Sequence, residues 1–185
     1  MKKFLVTLCL LTLSFHTIAI EQVFLSPEEF VQQQFSESPQ SNYFWLTSPH
    51  KERLTEILRH KPGKLRIKYW GHDQRTAWIL EEIGKEQPIT VGITVDQHKI
   101  TSLKVLIYRE SRGHEVKQSF FTRQYLGSGL DEELKLENQI DGITGATLSV
   151  RALNKLARVA LYLHQHSPYA IKSTVANNEK ISPSP

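Results

Sequence analysis

Cysteine is almost missing from this chain. Of its 185 residues only Cys9 is one, and it lies in the apolar stretch near the amino terminus. Once that stretch is removed, the chain can form no disulfide, thiolate metal site, iron–sulfur cluster or CxxCH haem attachment. Any redox chemistry must then come from a group held by other side chains. Charge of one sign is scarce too: the formal net charge of +4 falls to +2 without Lys2 and Lys3. The remaining basic residues are mixed with acids, as in Lys51-Glu52-Arg53 and Lys85-Glu86. That is an ordinary solvated surface, so no nucleic-acid partner is expected. No serine stands in a G-x-S-x-G elbow, which removes support for a serine hydrolase. Gly127-Ser128-Gly129 is a lone glycine pair, not a dinucleotide fingerprint. There is no internal repeat.

What is present suffices for one domain with terminal extras, since 39% hydrophobic residues can build a real core. Lys2 and Lys3, the apolar stretch from Phe4 to Leu13, and Thr17-Ile18-Ala19 have the order of a secretory signal cut after Ala19. Left uncut, the same segment would act as an inner-membrane anchor. However, a span needs roughly 20 apolar residues and His16 interrupts this one. The expected location is the periplasm or cell envelope. The expected division is a signal over residues 1–19, a helical region over 20–64, a core domain over 65–166 and a flexible tail over 167–185.

Ser26-Pro27-Glu28-Glu29 and Ser48-Pro49 both read as helix starts. The first predicts a helix to about Phe35, followed by a loop over Ser36–Asn42; the second predicts a helix to about Arg59. Alternation then predicts strands over Leu65–Trp70, Thr76–Gly84, Ile89–Val95 and Ile100–Tyr108, with Asp96-Gln97-His98 turning the last pair. A final amphipathic helix is expected from Leu148 to His164. The fold class is therefore α+β, an antiparallel sheet flanked by helices. His164 and His166 stand two apart with no carboxylate at ligand spacing, so both read as surface histidines and no metal is expected.

The residues from Asp141 to Ser149, DGITGATLS, crowd glycine, alanine and hydroxyl side chains at the start of that helix. Such residues are common as helix caps. They also suit an anion site, because a helix start presents unpaired N–H groups and a positive dipole end. Thr147 stands three residues after Thr144, where a reciprocal capping box would want Glu or Gln.

This stretch resembles the flavinylation motif of FMN-binding domains, Asp-x-x-Ser/Thr-Gly/Ala-Ala/Ser-Thr-x-Ser/Thr. Such domains occur in the C subunit of the sodium-pumping NADH:quinone oxidoreductase, in the G subunit of the Rnf complex and as small exported proteins. The resemblance spans about Leu65 to His164. It implies FMN joined through its phosphate to Thr147 by a dedicated transferase that uses FAD and magnesium. Asp141, Thr144, Gly145, Ala146 and Ser149 fall on the other motif positions, with Thr144 where serine is more usual. It further implies that Glu110-Ser111-Arg112-Gly113 is a loop near the flavin, with Arg112-Gly113 in place of the family's common Pro-Gly; Gln124 and Gly127 follow it. Tyr108, Arg112, Trp70 and Trp78 suit ring neighbours by residue type alone, and ordinary packing or surface is the favoured reading of each. A domain so equipped would be an electron carrier or redox subunit with membrane or periplasmic redox partners, not a stand-alone enzyme. A reversible FMN-binding module and a flavin-free envelope adaptor or sensor remain open alternatives.

Overall fold

The computed structural model describes residues 21–170. Residues 1–20, which include the segment read as a signal, and residues 171–185 lie outside that range. Among the described residues six strands form one sheet: β1 (Gln22–Val23), β2 (Gln40–Trp45), β3 (Arg66–His72), β4 (Arg75–Ile83), β5 (Pro88–Asp96) and β6 (Lys99–Tyr108). Their order is β1-β6-β5-β4-β3-β2, and every neighbouring pair is antiparallel. Helices α1 (Pro27–Gln34) and α4 (Thr147–Gln165) cover opposite faces, and α2 (Ser48–Leu58) packs beside α4. A short α3 (Ser119–Thr122) lies between single 3-10 turns at His114–Lys117 and Arg123–Tyr125. The architecture is the expected α+β one.

Local chemistry explains most of these elements. Ser26 caps α1 reciprocally: its hydroxyl accepts from the Glu29 N–H at 3.2 Å, while its own N–H donates to the Glu29 carboxylate at 3.1 Å. The β5–β6 hairpin closes through Gln97 and His98, whose φ values of 48° and 64° match the two left-handed positions of a tight hairpin turn. The central strands β4 and β5 are buried on both faces, which is why β4 carries the unbroken apolar run Ala77-Trp78-Ile79-Leu80. Trp78 and Leu80 point towards α4, and Ala77 and Ile79 towards α1.

Two strands were not expected. Gln40–Trp45 overlaps the stretch read as a loop, and residues 22–23 form a two-residue edge strand. In β2 only Phe44 is buried, so its alternation is too sparse to stand out. The segment expected to be helical thus supplies both sheet edges. At the other terminus, Tyr169 and Ala170 are buried; Tyr169 packs edge-on against Tyr69 and lies over Gly71. Residues 167–170 therefore belong to the packed body, while the rest of the expected tail lies outside the described residues.

His164 corrects another expectation. It sits on the same stripe of α4 as Leu156 and Ala160 and is fully buried, not on the surface. Thr76 links it to the core: the Thr76 hydroxyl receives the Trp78 indole N–H at 2.8 Å and lies 2.8 Å from His164 Nδ1. Either the hydroxyl or Nδ1 can be the donor in that second contact, according to the imidazole tautomer. Burial, with nearby His98 adding to it, lowers the His164 pKa to about 4.

Two stability measurements follow. Protonating His164 favours the unfolded chain, so its contribution is full above pH 6.5 and is lost as pH falls towards 4. Urea unfolding should show this residue costing about 2 kcal/mol between pH 7 and pH 5, a slope that flattens in His164→Gln. In β5, a Cβ on Gly92 would stand 2.7 Å from the Phe30 ring. Gly92→Ala should therefore destabilise the fold by about 1–3 kcal/mol in the same assay.

Candidate functional site at the start of α4

Strand β6 ends at Tyr108, whose side chain is fully buried and reaches under the following loop. Its hydroxyl donates to the Arg112 carbonyl at 2.6 Å and lies 3.2 Å from Ser149 Oγ. One phenol thereby ties the 110–113 loop to the first turn of α4. Burial raises the Tyr108 pKa, and the neighbouring acids Glu110 and Glu115 add to the rise despite an opposing hydrogen bond from Ser149. The phenol stays protonated and keeps donating to Arg112.

Gly113 closes the contact. Its φ of +81° suits glycine, and a Cβ there would meet Tyr108 Oη at 2.9 Å and Ala146 Cβ at 3.1 Å. Ala146 is buried in the same seam. The loop and the helix start therefore touch through two residues with almost no side chain, and nothing larger fits between them.

Thr144 and Gly145 form a turn that brings the chain into the helix, closed by the Ala146 N–H on the Ile143 carbonyl at 3.0 Å. Gly145 has a φ of +83° in that turn. Helix α4 then begins at Thr147 with Ala146 as its cap residue and no side chain bonded to the free N–H groups. The plain capping reading of DGITGATLS accordingly fails: three hydroxyl residues stand there and none caps the helix. Thr147 itself is exposed, as are Asp141, Thr144 and Gly145. Arg112 and Arg151 are exposed as well, Arg151 one helical turn beyond Thr147 on the same face. Uncapped N–H groups and a helix dipole, with Arg151 one turn along the same face, favour a phosphate.

Tertiary structure sorts the expected residues into groups. Gly113, Ala146 and Ser149 meet directly, and Ser149 is a buried positioning residue beneath the surface. Thr147, Thr144, Gly145 and Arg112 line the accessible side. The Asp141 carboxylate is exposed, while its N–H is held by Gln124 Oε1 at 2.8 Å. Glu110 stands apart from them: its buried carboxylate accepts the N–H groups of Lys85, of Glu86 at 2.7 Å and of Gln87 at 3.1 Å. It anchors the loop to the β4–β5 turn, and its oxygen is committed to that backbone.

Both tryptophans follow the packing reading. Trp78 is stacked on Tyr69 with ring centroids 4.5 Å apart, inside the core. Trp70 packs with the α1 side of the sheet, on the face away from α4. Neither stands beside Thr147. His114 does belong here, with its ring 5.2 Å from Tyr108 and its Nδ1 buried without a partner among the described residues. Its one legible signal in the sequence is adjacency to Gly113. Leu148, 42% exposed, adds apolar surface beside Thr147 for a flat ring system.

No curated protein matches the chain. The model of the FMN-binding domain family matches residues 84–162, from the end of β4 through most of α4. This is a shorter span than the resemblance suggested, and it contains every residue of the loop-and-helix site. Residues 84–162 are thus similar to the FMN-binding domain family, and Gly113, Ala146 and the start of α4 fall inside the matched span.

Proposed function

We propose that this is an exported flavoprotein that carries electrons through FMN held by a phosphoester bond to Thr147. The observation that supports this most is the exposure of Thr147 on an uncapped helix start, beside a seam of Gly113 and Ala146. A hydroxyl there is accessible to a modifying enzyme, and the phosphate it would carry lies against free N–H groups. Attachment balances as a phosphoryl transfer. The Thr147 oxygen bonds to the flavin-side phosphorus of FAD, the pyrophosphate bond breaks, and AMP leaves with the proton from the hydroxyl. A flavin transferase working with FAD and magnesium is the partner this requires. FMN supplies the redox chemistry when bound, and the chain governs how it is held and exposed.

In this reading Arg112 and Arg151 balance the phosphate charge. Ser149 and Tyr108 hold the first turn of α4 in register with the loop, and Leu148 offers apolar contact. Attachment through a covalent bond suits a protein working outside the cytoplasm, where a freely dissociating cofactor would be diluted. Redox partners in the membrane or envelope complete the proposed role.

Intact-mass analysis after co-expression with a flavin transferase tests the assignment. The expected gain is one FMN less one water, located by peptide mapping within residues 136–155. Thr147→Ala should lose the gain entirely and Thr147→Ser should retain it. Flavin that is released on denaturing the parent chain would point to reversible binding instead, and a colourless, unmodified chain to an adaptor role. Gly113→Val should lower flavin incorporation sharply while the purified chain keeps its circular dichroism, because the added side chain pushes the loop off Ala146.

A further inference from the structure

The sheet splits between β3 and β4. Their ladder has only four pairs, from Tyr69↔Trp78 to His72↔Arg75. Beyond Trp78, β4 continues to Ile83 paired with β5 alone, and residues 66–68 of β3 pair with β2 alone. In antiparallel strands every other residue aims its N–H and C=O at one neighbour. Each arm of the split thus presents backbone donors and acceptors that no strand among the described residues answers.

A cavity of about 450 Å³ occupies the opening, within the usual range for small-molecule sites. Its lining comes from both faces of the sheet, so it passes through the sheet instead of lying on it. Leu54, Leu58, Leu80, Leu156 and Val159 form the apolar side towards α2 and α4. On the other side are Tyr43 and Trp70 with Lys64, Arg66 and Lys68. The cations lie against aromatic faces, Arg66 4.1 Å from the Tyr43 ring centre and Lys68 4.9 Å from that of Trp70.

Charge in the cavity is unbalanced. The two acids on its wall are already answered: buried Glu82 by Lys155 at 2.7 Å and His60 at 3.0 Å, and Glu81 by the Thr90 hydroxyl at 2.8 Å with Arg109 at 3.8 Å. Among the described residues, Lys64, Arg66 and Lys68 have no carboxylate within ion-pair distance. The cavity is also separate from the flavin site: Leu156 and Val159 lie about 14–18 Å along α4 from Thr147.

We infer that the split between β3 and β4 is a second binding site, for a small organic anion with an apolar body and a carboxylate or sulfonate head. The body enters between the strands onto the leucines, the head meets Arg66 and Lys68, and the unpaired strand edges supply further hydrogen bonds.

Titration of the ¹⁵N-labelled chain, with and without flavin, using 2-naphthalenesulfonate as the probe tests this. Saturable shifts are expected at the amides of residues 66–68 and 79–82 and at the Trp70 indole. Arg66→Gln combined with Lys68→Gln, both exposed positions, should weaken binding by about fivefold or more. Neutral 2-naphthalenemethanol should bind more weakly than the sulfonate by a similar factor. The inference fails if these amides show no saturable shift, if the shifts gather around Thr147 instead, or if the neutral probe binds equally well. None of these readouts depends on flavin attachment.

Discussion

The apolar seam between α4 and one face of β4, β5 and β6 is the contact on which the remainder of the molecule depends. Leu153, Leu156, Ala157, Ala160 and Leu163 are all at most 2% exposed along it. Such close packing leaves the helix no freedom to slide or turn, since interiors are filled nearly as densely as organic crystals. The axial position of α4 determines where its first turn emerges. That first turn carries the motif, so the place of Thr147 is decided by side chains several turns away.

Tyr108 converts this packing into a site. It belongs to β6 by register and to the site by its hydroxyl, which holds the Arg112 carbonyl and faces Ser149. A rigid strand thereby positions a loop that would otherwise be free to move. Glu110 performs the same service at the other end of the loop through three backbone N–H groups. A buried carboxylate is tolerable there because its bonds replace those lost from water. The Thr147 hydroxyl is exposed above this bonded loop.

The two faces of the sheet are used differently. Helix α1 covers the centre of one face through Phe30, which rests on Gly92. It leaves the β2–β3 end of that face bare, where Tyr43 and Trp45 stand exposed beside Arg66 and Lys68. That asymmetry lets the sheet open between β3 and β4 without exposing its centre. The four-pair ladder and the buried Glu82 pairing with Lys155 and His60 lie at the two ends of the opening.

The sequence by itself determined the long central strands, the β5–β6 hairpin, α4 and the motif, because each has a strong local signal. Alternation marks the strands, a 3.6-residue stripe marks the helix, and DGITGATLS is contiguous. Short edge strands such as β1 and β2 have no such signal; they exist because neighbouring strands offer them a register. The site divided in the same way. Thr144, Gly145, Ala146 and Thr147 are contiguous, so their closeness was legible in the sequence. That Glu110 belongs to a backbone turn, that Ser149 and Tyr108 meet, and that Trp78 lies in the core were decided only by the tertiary structure. So was the burial of His164, which the end of an amphipathic pattern had placed in solvent. The physical reason is common to all four: a hydrogen bond or ring contact between residues distant in sequence depends on how helix and sheet dock, and local periodicity carries no record of that docking.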